Sequence, residues 1–376
     1  MNYWISVVLA VVLSGHFLGG NSLAQGNNKN IGESSAVVGM VTRDFVDESR
    51  KNWQGTGPRP LKTAIWYPAA RASKEEATFN GPHEKQIYAS YLVAKDAEIS
   101  RKPQEYPLIL LSHGTGGTAL GMMWLGYYLA SRGYMVAAIN HHGNTREEAY
   151  AAQGFLLYWE RPKDLTAVLD RLLSDPVFGE RIDRNRIGAA GFSLGGYTVI
   201  AIAGGIFSQE TYDAFCNSPE KDFTCAPQFE FPEAQTKIEE LKKTDPVVQE
   251  AFLHSGDSCR DKRIRGVFAI SPALGSGFTK AGLSAISIPV YIVIGKADAI
   301  ASIATNAQRY ASLIKGARLQ VLPGKIGHYT FLAECTPYGK KTNSLCMDSE
   351  GVDRAAAHQR VRELAFNFFE QILTEK

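Results

Sequence analysis

The sequence predicts an α/β domain: a mostly parallel sheet with helices on both faces, interrupted once by a cap-like insertion. Three observations carry that reading. Short unbroken apolar runs recur along the chain, as strands buried on both faces require. Segments with apolar residues at helical spacing alternate with them, the pattern of a sheet whose parallel strands are joined by crossover helices. Over residues 204–263 the alternation stops, and a polar stretch rich in Glu, Lys, Asp and Pro takes its place, as a cap or lid would. The composition fits: 376 residues that are 45% hydrophobic and 21% charged exclude disordered, collagen-like and coiled-coil chains. Forty Lys and Arg against 38 Asp and Glu give a net charge of +2 without long runs of one sign, so no nucleic-acid partner is expected.

In chain order, residues 4–18 form an apolar run, followed by small residues ending in Ser22, Leu23, Ala24 and Gln25. This reads as a signal peptide over residues 1–24, cut after Ala24, and places the mature protein in the periplasm or the medium. The run is short of the roughly 20 residues of a membrane span, so no span is expected after cleavage. The leader lacks Lys and Arg, which leaves an uncleaved anchor as the alternative. Strand-like segments follow at 36–46 and 62–67. The periodic part then begins, with strands at 107–112, 134–140 and 186–192, and later at 267–270, 290–294 and 319–322. Helical patterns fall at 119–131, 160–173, 197–203 and 355–373. The core thus comprises 36–203 and 264–376, with 204–263 as the insertion.

The strongest local signal is Gly191-Phe192-Ser193-Leu194-Gly195, a G-x-S-x-G between a buried strand and a small-residue helix. There the backbone must turn sharply, so small residues flank a serine that is lifted above the sheet at the positive end of the next helix. Ser193 is therefore the candidate nucleophile. A serine hydroxyl needs a base, and the base needs an orienting carboxylate, in the order Ser, acid, His on loops after later strands. His254 lies in the insertion and His358 within the last helix; His328 follows a strand and turn and is the candidate base. Asp298 stands directly beyond the 290–294 strand and is the candidate acid, since the preceding strand end, Ser271-Pro272, offers no carboxylate. The oxyanion donors are expected to be the backbone N–H groups of Leu194 and of the 113–117 loop (HGTGG), where Thr115 is the first choice and Gly116 the next.

Rival readings are weaker. Gly114, Gly116 and Ala119 fit G-x-G-x-x-A, but the acidic residue that dinucleotide binding requires about 20 residues on is replaced by Asn140 and His141. No cofactor is expected. His141 and His142 lack a third ligand at helical spacing, so no metal is expected and they read as residues at the pocket mouth. Of five cysteines, the near neighbours Cys216 with Cys225 and Cys335 with Cys346 are disulfide candidates, leaving Cys259 odd.

These segments resemble an α/β-hydrolase of the predicted dienelactone hydrolase and platelet-activating-factor acetylhydrolase-like branch. The resemblance runs from TAIWYPA (63–69) through LILLSHGTGG, AAINHHGNT and IGAAGFSLGG to IGHYTFLAECTP and GVDRAAAH. It implies the α/β-hydrolase fold and a serine esterase acting on a small carboxylic ester, with Ser193, Asp298 and His328 as triad. Dienelactone hydrolases proper use a cysteine nucleophile, and the acetylhydrolases carry their aspartate one strand earlier, so neither substrate class transfers. An acyltransferase with the same triad, a lipid or phospholipid acyl hydrolase and a non-catalytic binding module remain alternatives. Oligomeric state is not readable.

Overall fold

The computed structural model describes residues 36–78 and 85–374; the leader expected over 1–24 lies outside them. Among the described residues one sheet contains ten strands: β1 (Val38–Lys51), β2 (Pro58–Pro68), β3 (Glu76–Thr78), β4 (Tyr91–Lys95), β5 (Tyr106–Ser112), β6 (Met135–Ile139), β7 (Ile182–Phe192), β8 (Ile264–Ile270), β9 (Val290–Gly295) and β10 (Arg318–Leu322). Their order is β10-β9-β8-β7-β5-β6-β2-β1-β4-β3. From β6 to β10 every neighbouring pair is parallel, while β2 joins β6 and β1 antiparallel. The short edge strands β3 and β4 have no clear trace in the sequence, because three to five residues hold too few periods for an alternation to stand out.

The central strands are buried on both faces, and the strand pleat explains how one run feeds two cores. In β5, Leu108 and Leu110 enter one cluster, and Ile109 and Leu111 the other. Glu160–Ser174 and Leu194–Ile202 cover the first face, and Met123–Ala130 and Arg354–Leu373 cover the second. The expected helix over 119–131 is a 3₁₀ turn, Ala119–Met122, capped by the Thr118 hydroxyl, followed by the α-helix. Such a fold, mostly parallel with helices on both sides, is the α/β-hydrolase architecture. Among the described residues no helix is long and apolar enough to cross a membrane.

The segment that broke the alternation contains the helices Gln209–Cys216, Ala234–Thr244 and Pro246–Leu253. Between the first two, residues 222–230 pass over the carboxyl ends of the strands. Asp222 anchors this stretch to the core, accepting hydrogen bonds from Asn306 Nδ2 at 2.8 Å and from the Thr305 hydroxyl. The structure joins Cys216 to Cys225 and Cys335 to Cys346 and leaves Cys259 free. Burial pushes the Cys259 thiol up to about 11, so it is a poor nucleophile at neutral pH.

Candidate active site

Strand β7 ends in Phe192, and Ser193 follows with φ 56° and ψ −116°, a conformation that a non-glycine residue holds only when its surroundings impose it. They do: the Ser193 N–H donates to the Ile270 carbonyl at 2.9 Å, and its own carbonyl accepts from Ala273 and Tyr197. Gly195 is required for close approach, since a Cβ there would strike the Ser112 carbonyl. The helix starting at Leu194 leaves its first amides without intrahelical acceptors, the Leu194 N–H next to Ser193 among them.

Ser193 Oγ lies 2.9 Å from His328 Nε2, and His328 Nδ1 lies 2.8 Å from Asp298 Oδ2. The other carboxylate oxygen, Oδ1, accepts from the Ile300 and Ala301 amides at 3.0 and 2.8 Å. Asp298 is thus clamped with one oxygen aimed at the imidazole, which fixes the proton on Nδ1 and leaves the Nε2 lone pair for the serine. All three side chains are buried. His328 opens a 3₁₀ turn, His328–Phe331, held from behind by several contacts. His358 Nε2 donates to the Thr330 carbonyl at 3.0 Å, and the Thr330 hydroxyl donates to Asp348 at 2.8 Å. Arg354 also bonds Asp348 and donates to the Ala333 and Leu345 carbonyls. These contacts, with the Cys335–Cys346 bridge, give a structural role to the HYTFLAEC and DRAAAH segments.

The 113–117 loop is pinned from the segment after β6. Asn144 Oδ1 accepts from the Gly116 amide at 2.7 Å, and Asn140 Oδ1 from the Ala119 amide at 2.7 Å; the Tyr150 hydroxyl donates to the Gly116 carbonyl at 3.0 Å. This corrects one expectation: the Gly116 N–H already has its acceptor and is not available to an oxyanion. Gly116, at φ +60°, instead lets the loop turn so that Thr115 faces the cleft.

His141 and His142 do not sit at the pocket mouth, as the sequence suggested. Both are buried behind the loop. His141 Nδ1 donates to Asp164 Oδ2 at 2.9 Å, and its Nε2 accepts from the Ser112 hydroxyl at 2.9 Å. His142 Nδ1 pairs with Glu148 at 2.8 Å. Burial, with the nearby Arg161 charge, pulls His141 down to about 3, so it is neutral. Asp164, on helix Glu160–Ser174, also accepts from Arg59 Nε at 2.9 Å and Arg50 Nη2 at 2.7 Å. Burial alone would raise its pKa, but Arg59 and Arg50 hold it well below the usual carboxylate range. On the same buried face, the Arg161 guanidinium donates to the His113 carbonyl and to Thr198 Oγ1. Sequence reasoning missed this network, although Arg161 and Asp164 fall on the stripe of Leu165, Val168 and Leu172; charges in register with an apolar face were the available signal.

The resulting cleft encloses about 130 Å³. It is lined by Ser193, Leu194, Thr115 and His328, by Met122, Tyr158, Phe192, Phe331 and Leu332, and by Phe223, Thr224 and residues 226–230 of the insertion. Among the described residues no group of three or more His, Cys, Asp or Glu side chains is placed to hold a metal ion.

Residues 121–218 match the prolyl oligopeptidase family, and residues 85–156 match platelet-activating factor acetylhydrolase, isoform II; neither match reaches half of the chain. The cutinases est2 and est1 of Thermobifida alba are each 30% identical over 105 residues, 27% of this chain and 32% of theirs. The chain therefore spans about a third of the length of these curated relatives. A ferulic acid esterase from Streptomyces cinnamoneus superposes with a TM-score of 0.62 at 21% identity, covering 90% of this chain and 91% of that one. At that identity the likeness speaks to the fold.

Proposed function

We propose that the chain is an exported serine hydrolase of carboxylic esters, built on an α/β-hydrolase fold and similar to the platelet-activating-factor acetylhydrolase and dienelactone hydrolase-like branch. The observation that carries this reading is the continuous hydrogen-bonded line Ser193–His328–Asp298 beneath a largely apolar cleft. Ser193 Oγ attacks the ester carbonyl while His328 Nε2 takes its proton. The tetrahedral oxyanion is met by the N–H groups of Leu194 and Thr115. As the intermediate collapses, His328 returns the proton to the leaving alkoxide oxygen, and the acyl group stays on Ser193. Water, deprotonated by the same imidazole, then releases the acid. No step calls for a cofactor.

The volume of about 130 Å³ lies below the ~300–1,000 Å³ of pockets that take drug-sized ligands, which favours a short acyl group. Export is supported by the two disulfides, which persist in oxidising compartments. The cutinases and the ferulic acid esterase support ester chemistry as the class of reaction.

The test is hydrolysis of p-nitrophenyl esters from acetate to long acyl chains by the wild type and Ser193→Ala. We expect turnover to be best with short acyl groups and to fall by about 10⁴-fold or more in the variant. Turnover retained by Ser193→Ala refutes the assignment of the nucleophile.

A further inference from the structure

Three polar side chains in the cleft have no part in the proposed mechanism. Gln228 and Glu230 come from the insertion, in a turn closed by the Phe231 N–H donating to the Gln228 carbonyl at 3.1 Å, and Arg146 comes from the segment after β6. The Gln228 side chain stands against the Tyr158 hydroxyl, and its Oε1 is buried without a hydrogen-bond partner. Glu230 is half-buried and packs onto the oxyanion loop: a Cβ on Gly116 would lie 2.8 Å from Glu230 Cγ. Burial raises the Glu230 pKa, opposed by a hydrogen bond from its own backbone N–H and by the Arg146 charge. Among the described residues no ion pair within 4.0 Å joins Glu230 or Arg146 to any opposite charge. A buried amide oxygen without a partner is costly in a folded protein, and at a reaction centre it is commonly completed by the ligand.

The chemistry of that ligand follows from the signs. An anion would meet Glu230, and a cation would meet Arg146. A neutral group that both donates and accepts suits all three side chains, and that group is the hydroxyl. The exposed rings of Phe223 and Phe229, 55% and 75% accessible, add an apolar surface at the mouth for the C–H face of such a molecule. Arg146, Gln228 and Glu230 line the same cleft as His328, the group that returns the proton to the leaving oxygen.

Resting on the esterase reading above, we infer that Gln228, Glu230 and Arg146 form a binding site for the hydroxyl groups of a polyhydroxylated leaving alcohol, so that the substrates are short-chain acyl esters of polyols or sugars. Gln228 and Glu230 accept or exchange hydrogen bonds with neighbouring hydroxyls, and Arg146 donates to them. The acyl–oxygen bond breaks as the proton on His328 passes to the alkoxide, and a neutral polyol leaves.

The test compares kcat/KM for glyceryl monoacetate and propyl acetate, which share the acyl group and carbon count and differ by two hydroxyls, with p-nitrophenyl acetate as a third substrate. The wild type is expected to prefer the glyceryl ester by tenfold or more. The ratio is expected to approach one in the Gln228→Leu/Glu230→Leu double variant and to survive largely in Glu230→Gln, which keeps an acceptor. Because it is a ratio, partial loss of folded enzyme does not alter it. Hydrolysis of p-nitrophenyl acetate without a glyceryl preference overturns this inference and leaves the esterase reading standing. A preference that persists in the double variant also overturns it, and absence of turnover on all three esters overturns both.

Discussion

Replacing Asp298 by Asn tests the geometry of the site most directly, because the structure dictates how the new side chain must sit. One carboxylate oxygen accepts from the amides of Ile300 and Ala301, and the other accepts from His328 Nδ1. An asparagine has one acceptor oxygen. Turning its NH₂ toward the two amides would leave two donors unsatisfied in a buried site, at about 1–3 kcal/mol each, so the oxygen stays with the amides and the NH₂ faces His328. Nδ1 must then accept, and the imidazole proton moves to Nε2, 2.9 Å from Ser193 Oγ. The lone pair that should take the serine proton is gone. Loss of that tautomer in a serine-histidine-aspartate system is worth about 10⁴-fold in kcat, or about 5.5 kcal/mol at 1.36 kcal/mol per decade. The assay is kcat/KM on p-nitrophenyl acetate, with thermal melting as a check on folding. A folded variant that loses less than tenfold would refute both the role of Asp298 and the tautomer argument.

Two further perturbations follow from the buried charges. Asp164→Asn leaves the fully buried Arg59 without its anionic partner, which is expected to cost about 3–5 kcal/mol; at roughly 0.7 kcal/mol/K for a chain of this size, Tm falls by about 4–7 °C. Because the folded-state pKa of Asp164 is depressed, its contribution is present at neutral pH and is lost as pH falls below the unfolded value of about 3.9. Calorimetry at pH 7 that finds Tm unchanged would count against the network. Glu230 has the opposite sign: its folded-state pKa is raised by burial, so the stability it contributes is full below the unfolded value and is lost as pH rises through the folded one. Glu230→Gln is therefore expected to gain in Tm relative to the wild type between pH 4 and pH 7, and a difference independent of pH would contradict the burial argument.

The sheet was legible because its central strands are buried on both faces, and double burial writes an apolar run that a single sequence displays without help. The same holds for Ser193, whose flanking glycines are imposed by local chain geometry, and for His328 and Asp298, whose positions follow from where strands end. Leu194 is placed by the same local geometry, as the first residue of the helix after the serine. Contacts between distant segments were not. Whether Thr115 or Gly116 presents its N–H depends on Asn144, 28 residues away, which occupies the Gly116 amide. The burial of His141 depends on Asp164, and the pair Arg161 and Asp164 looked like an ordinary polar face until the helix was packed against the sheet. Likewise, Gln228 and Glu230 read as part of a polar insertion, and only its passage over the strand ends brings them beside the oxyanion loop. The sequence by itself determined the central strands and the helices that cover them, the order of the strands' apolar runs and the candidate nucleophile, base and acid, since these are local consequences of periodicity and turn chemistry. Only the tertiary structure decided which backbone donor is free, which charges are buried together and what lines the cleft, because each of those is set by groups that meet through space and leave no period in the chain.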